Sequence, residues 1–229
     1  MTEMMIIGNK PYTNLCLDGI IDIFDANTRC GLGLANRGNG TKYDRLGLCN
    51  HMFSNLIQKR LPRDAFLKLY TGTYEKGFLA HYYDSFDKDL MPKYKEVFHA
   101  AFNPGHHNRW LSQKGCPHRF STIPTTGLTL IMNNLLLQEK KIFIAFFSLI
   151  YDTYRRSQNT HPDLSEGCHN RSDETNILMW LHKEQLIDAT LCMLEDEEMP
   201  TLNCEDLDPS EFILSALKEE YGNVVIKNG

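Results

Sequence analysis

Valine is almost missing from this chain of 229 residues, standing only at Val97, Val224 and Val225, while leucine recurs throughout. β-Branched residues suit the pleated surface of a sheet, whereas leucine loses little side-chain freedom in a helix. The omission points to a mainly α protein, a single compact multi-helix domain. Isoleucine-rich runs at Met5 to Ile7 and Leu15 to Phe24, bounded by Gly and Asp, are the exception and read as a small N-terminal β-hairpin.

Helical spacing appears from Arg45, where Leu46, Cys49, Phe53, Leu56 and Ile57 share a face up to Pro62. The stretch from Arg63 to Phe86 repeats it with a weakened middle at Gly72 and Gly77, and Pro92 opens a short amphipathic helix ending at Asn103-Pro104-Gly105. Leu128 to Leu137 and Lys141 to Arg156 read as a helical pair. In the second, Ile142, Phe143, Ile144, Phe146 and Phe147 leave no polar face, so it is expected at the centre of the core. A helix from Ser172 to Leu194 follows, with Ser172 as cap and Asp173 and Glu174 beside its positive end. Residues 195–208 are acidic and read as a linker, and Asp208, Pro209 and Glu211 open a terminal helix. The expected division is a helical domain over 1–194, a linker over 195–208, and a helix with tail over 209–229.

Composition is that of an ordinary globular chain, 42% hydrophobic and 23% charged, with a net charge of -5 that offers no footprint for nucleic acid or an anionic membrane. The start, Met1 to Lys10, does not read as a secretory leader and no apolar run is long enough to span a bilayer, and seven cysteines without framework spacing suit reduced thiols; the expected compartment is the cytoplasm.

Chemistry-bearing residues gather in two stretches that read as long polar loops, 105–127 and 157–171. Cys116, His118, Cys168 and His169 supply the two-Cys, two-His donor set of a tetrahedral zinc, although Cys116-Pro-His118 and the adjacent Cys168-His169 lack the spacing of a zinc knuckle. No other cofactor has a motif here.

The run His161-Pro-Asp-Leu-Ser-Glu166-Gly-Cys-His-Asn-Arg171 resembles the signature loop of the Fic-domain family. That resemblance implies transfer of a nucleotide monophosphate, with His161 as general base toward a hydroxyl and Glu166 and Arg171 completing the catalytic set. The stretch departs from the family pattern in lacking the apolar residue after His-Pro and the second glycine of the turn.

Cys30 to Gly40 is glycine-rich, but Asp25 to Cys30 stands between it and the preceding apolar run, so it reads as a turn rather than a phosphate cradle. Asp18, Asp22 and Asp25 are closely spaced and read as a solvated face. Two functions follow. The leading one is a cytosolic adaptor or subunit that docks on other proteins through the many-faced helix 172–194 and the terminal helix. The alternative is an enzyme, metal-dependent or nucleotidyl-transferring, whose two polar stretches converge.

Overall fold

Glu3–Ile7 (β1) extends as a strand, Asp18–Ile21 (α1) forms a single helical turn, and Ala26–Cys30 (β2) returns as a strand parallel to β1. The structure is a computed structural model that describes residues 3–8, 15–30, 38–42, 44–49, 96–100, 102–137, 141–147, 149, 169–195, 199–204 and 207–228. Beyond β2 come Arg45–Cys49 (β3), Glu96–Ala100 (β4), Pro104–Gln113 (α2), Thr126–Leu137 (α3), Lys141–Ala145 (β5), Arg171–Lys183 (α4) and Ile187–Asp188 (β6). A 3-10 turn at Thr190–Met193 leads to Leu194–Glu195 (β7), Thr201–Asn203 (β8), Glu211–Tyr221 (α5) and Val225–Lys227 (β9).

Strands β1 to β6 make one sheet in the order β4-β3-β2-β1-β5-β6, every neighbouring pair parallel. The protein is therefore an α/β protein with helices on the sheet, and the expectation of a mainly α, multi-helix domain is wrong. A smaller sheet, β7-β8-β9, stands beside it.

The error has a physical source. A parallel strand covered on both faces carries apolar residues continuously instead of alternately. In β5, Ile142, Phe143, Ile144 and Ala145 are all buried, so the span without a polar face is a central strand and not a central helix. The helices expected from Arg45 and from Pro92 are likewise strands where described, β3 and β4; Arg63 to Phe86 lies outside the described residues, and the expected stop at Asn103-Pro104-Gly105 instead opens α2 inside the expected loop, with the Asn103 side chain accepting from the His106 N–H as its cap. The supposed hairpin is a parallel pair with α1 in its crossover, because Leu15 to Phe24 supplies the helix. Leu128 to Leu137 is helical as expected, within α3.

The helix expected over 172–194 ends at Lys183, then gives way to β6 and the 3-10 turn. Its cap is Asn170, whose side chain accepts from the Asp173 N–H, and not Ser172. Within the acidic stretch 195–208, Thr201 and Leu202 of β8 are buried. Helix α5 begins after Ser210, which makes no side-chain cap bond.

Helix α3 packs on β1, β3, β4 and β5. Its approach to β3 is close: a Cβ on Gly47 would lie 2.1 Å from Leu130 Cδ1, so only glycine fits there. Register places Phe143 on the opposite face of the sheet from Gly47. There the Phe143 ring lies 4.8 Å from that of Phe24 and 5.4 Å from that of Phe212, and α1 packs on α5.

Candidate functional site

An open parallel sheet offers a ligand the space beyond the carboxyl ends of its strands, at the point where successive strands depart in opposite directions. Here β2 lies on one side of β1 and β5 on the other, so that point falls between the ends of β1 and β5. The backbone is drawn tight there. Gly8 N donates to Ala145 O at 2.8 Å, and a Cβ on Gly8 would stand 2.4 Å from Phe146 O. Phe146 itself has a φ of 59°, a left-handed conformation costing a non-glycine residue about 1–3 kcal/mol.

The amino end of α3 closes over this edge. A Cβ on Gly127, in its first turn, would lie 2.4 Å from Phe147 Cε1 and 3.3 Å from Cys30 Sγ, which sets the helix start against the ends of β5 and β2. Helix starts concentrate N–H groups and partial positive charge, which favours anions. The glycine-rich run also begins here: Ala26–Cys30 is itself a strand, so Gly31 follows a strand directly, contrary to the expectation that Asp25 to Cys30 separates them. Residues 31–37 lie outside the described residues. Burial pushes the Cys30 thiol up to about 12, so it is no nucleophile.

The returning segment 38–42 is held from several sides. Asp18 Oδ1 accepts from Gly38 N (2.9 Å) and Gly40 N (2.8 Å), and Asp22 accepts from Thr41 N and Oγ1 and from Lys42 N. The guanidinium of Arg29, fully buried, donates to the carbonyls of Lys42 (2.9 Å), Asn39 (3.1 Å) and Gly40 (2.9 Å). Asp18 and Asp22 are thus backbone anchors rather than a solvated face.

The segment before α3 is laced to the start of α4. Ser121 N and Oγ donate to Asp173 Oδ2 at 3.0 and 2.5 Å, Asn170 N donates to Thr122 Oγ1 at 2.8 Å, and Asn170 Nδ2 to Ser121 Oγ at 3.0 Å. His169 Nδ1 lies 2.6 Å from Ile123 O. A carbonyl oxygen only accepts, so Nδ1 carries a proton, and in the neutral ring the lone pair lies on Nε2. Thr125 N and Oγ1 donate to the two carboxylate oxygens of Glu174, at 2.8 and 2.7 Å. Glu174 is buried, and that burial raises its pKa, opposed by the Thr125 bonds and by the charges of His169 and Arg171. The two polar stretches therefore converge where they are described.

Of the residues singled out from the sequence, His161, Glu166 and Cys168 lie outside the described residues. Arg171, half-buried, is the first residue of α4. Cys116 is buried, its pKa raised chiefly by burial and further by the charge of Glu184, which follows α4; His169 precedes that helix. Thirteen helical residues span about 20 Å, so Cys116 and His169 sit toward opposite ends of α4 and are not brought together. No group of three or more His, Cys, Asp or Glu among the described residues is placed to hold a metal. His107 is structural: its ring stacks on Phe102 at 5.0 Å, with Nδ1 accepting from Asn103 N and Nε2 2.8 Å from Asn133 Oδ1. Glu174 went unrecognised beyond its place near a helix start, because its partner Thr125 is 49 positions away.

No protein-family model matches the sequence, and no curated protein matches it. Among solved structures, the chain is similar to three of the sialyltransferase CST-II. One of them, a point variant in complex with CMP, has 15% identity and a TM-score of 0.40 over 82% of this chain and 80% of that one. The complex with trisaccharide acceptor and CMP has 14% identity and a TM-score of 0.40 over 96% and 98%. The enzyme from Campylobacter jejuni with the substrate analogue CMP-3FNeuAc has 15% identity and a TM-score of 0.39 over 97% and 99%.

The expected helical adaptor or complex subunit with protein partners does not stand. The apolar residues meant for docking serve this chain's own core: Leu178, Leu181, Ile187, Leu191 and Met193 are buried, as are Ile213 and Leu217 of α5. Among the described residues no helix is long and apolar enough to cross a membrane.

Proposed function

We propose that this chain is an enzyme that takes a nucleotide-linked substrate at the carboxyl edge of its parallel sheet and transfers a group from it to an acceptor hydroxyl. The observation that carries the reading is the switch point between β1 and β5, where glycine-tight backbone and the start of α3 meet. In this reading the phosphate lies against the α3 start, and Nε2 of the neutral His169 ring removes the acceptor's proton. His161 and Glu166, in the stretch that leads to His169, and Arg171 after it are the further candidates for the catalytic set. The compartment we propose is a reducing one, the cytoplasm, since Cys16, Cys30, Cys116 and Cys204 carry free thiols.

Calorimetric titration tests it, with CMP and a CMP-linked sugar as the first probes and uridine, adenosine and guanosine nucleotides alongside. Saturable binding of one of them, weakened at least tenfold in Gly8→Val, supports the reading. Transfer assays with His169→Ala and His161→Ala then assign the base. Absence of binding for every nucleotide overturns it.

A further inference from the structure

We propose that Glu174 is a positioning residue, which fixes the ring of His169 through the backbone of residues 123–125. The proposal deepens the reading of this edge as a transferase site and rests on it for its catalytic meaning. Each carboxylate oxygen of Glu174 has one donor, both from Thr125, so the residue is gripped at its N–H and its hydroxyl together. Two positions earlier in the chain, the Ile123 carbonyl is the partner that decides which nitrogen of His169 is protonated. A carbonyl holds a tautomer only while it stays aimed at the ring, and Ile123 is itself exposed, with a side chain that anchors nothing. On the amino side of Ile123 the segment is held by Asn108 on Phe120, Asp173 and Asn170 on Ser121, and Asn170 on Thr122, while on its carboxyl side the hold is that of Glu174 on Thr125. Glu174 is the buried one of the two acids, and its grip lies on the α3 side of Ile123, so it ties the ring to the helix start that faces the carboxyl edge.

The test is the tautomer of His169 in the free protein, read from nitrogen-15 NMR of its ring at a pH where the imidazole is neutral. In the unaltered protein the Nδ1–H form should dominate. Glu174→Gln keeps an oxygen for the Thr125 N–H and an amide for its hydroxyl, and should preserve that form. Glu174→Ala should bring the two forms to comparable populations, and Thr125→Val, which removes half of the grip, should shift them in the same direction. An unchanged tautomer in Glu174→Ala overturns the proposal; if that variant does not fold, an unchanged tautomer in Thr125→Val does so. Because the measurement needs no substrate, a protein that shows the expected pattern but binds no nucleotide refutes the transferase reading and leaves the positioning role standing.

Discussion

A carboxyl group pressed into the interior at Glu174 leaves a thermodynamic mark. Its folded pKa is raised, first by burial. Between its unfolded and folded pKa values the native state holds more protons than the unfolded one, so stability falls as pH rises through the folded pKa and remains lower above it. Glu174→Gln removes the charge and keeps the Thr125 contacts, so its melting temperature at neutral pH should exceed that of the unaltered protein. Below the unfolded carboxylate range the two should coincide, as thermal melts across pH would record. Cys30 gives a second residue-level test: with its pKa near 12 and no exposure to speak of, it should resist thiol reagents at pH 8 in the native protein and react on unfolding. The sequence disclosed His169 as a residue with chemistry, but grouped it with Cys116 in a metal shell, because donor type was the available guide. Its working partner, the Ile123 carbonyl, is 46 positions away and is a backbone atom, which leaves no compositional trace.

At the level of elements, legibility followed length and burial. Helix α3, with 12 residues, is long enough to be read as a helix although Gly127 to Met132 are all buried, whereas the strands β1 to β5 have five residues each and carry too few repeats to reveal a period. The scarcity of valine misled because Ile, Met, Leu and Phe fill the same role in β1, β3 and β5, and β2, with Asn27, Thr28 and Arg29 all buried, looks polar on paper. The glycine of β3 was silent too, since only the packed structure shows that Gly47 admits α3. Gly47→Ala would drive a methyl to 2.1 Å from Leu130 Cδ1, an overpacking that should cost about 1–3 kcal/mol in urea unfolding. Leu130→Ala alone should cost about 2–5 kcal/mol through the cavity it opens. Combined, the two should cost clearly less than the sum, since the added methyl then occupies space the leucine vacated; additive values would mean that β3 and α3 are not in this contact.

The whole molecule places its candidate site by topology rather than by any local motif. Chain order runs outward from β1 through β2 and β3 to β4, then crosses back to β5, and the reversal creates the edge where Gly8, Gly127, Phe146 and the start of the glycine run come together. None of these is a signature alone, and the enzyme alternative could be named from the sequence only in outline. A ligand held at this edge binds the folded state alone, because the edge does not exist until β1 and β5 are paired. At about 100 times its dissociation constant such a ligand adds about 2.7 kcal/mol of stability. For a chain of this length that corresponds to a rise of roughly 5–10 °C in the melting temperature. The rise should appear with the nucleotide that calorimetry selects and should be lost in Gly8→Val, whose Cβ would collide with Phe146 O, while Leu202→Ala, a buried position in the smaller sheet, should keep it from a lower starting temperature. Equal shifts in both variants would mean that the nucleotide sits elsewhere on the protein and that the reversal of strand order is not what binds it.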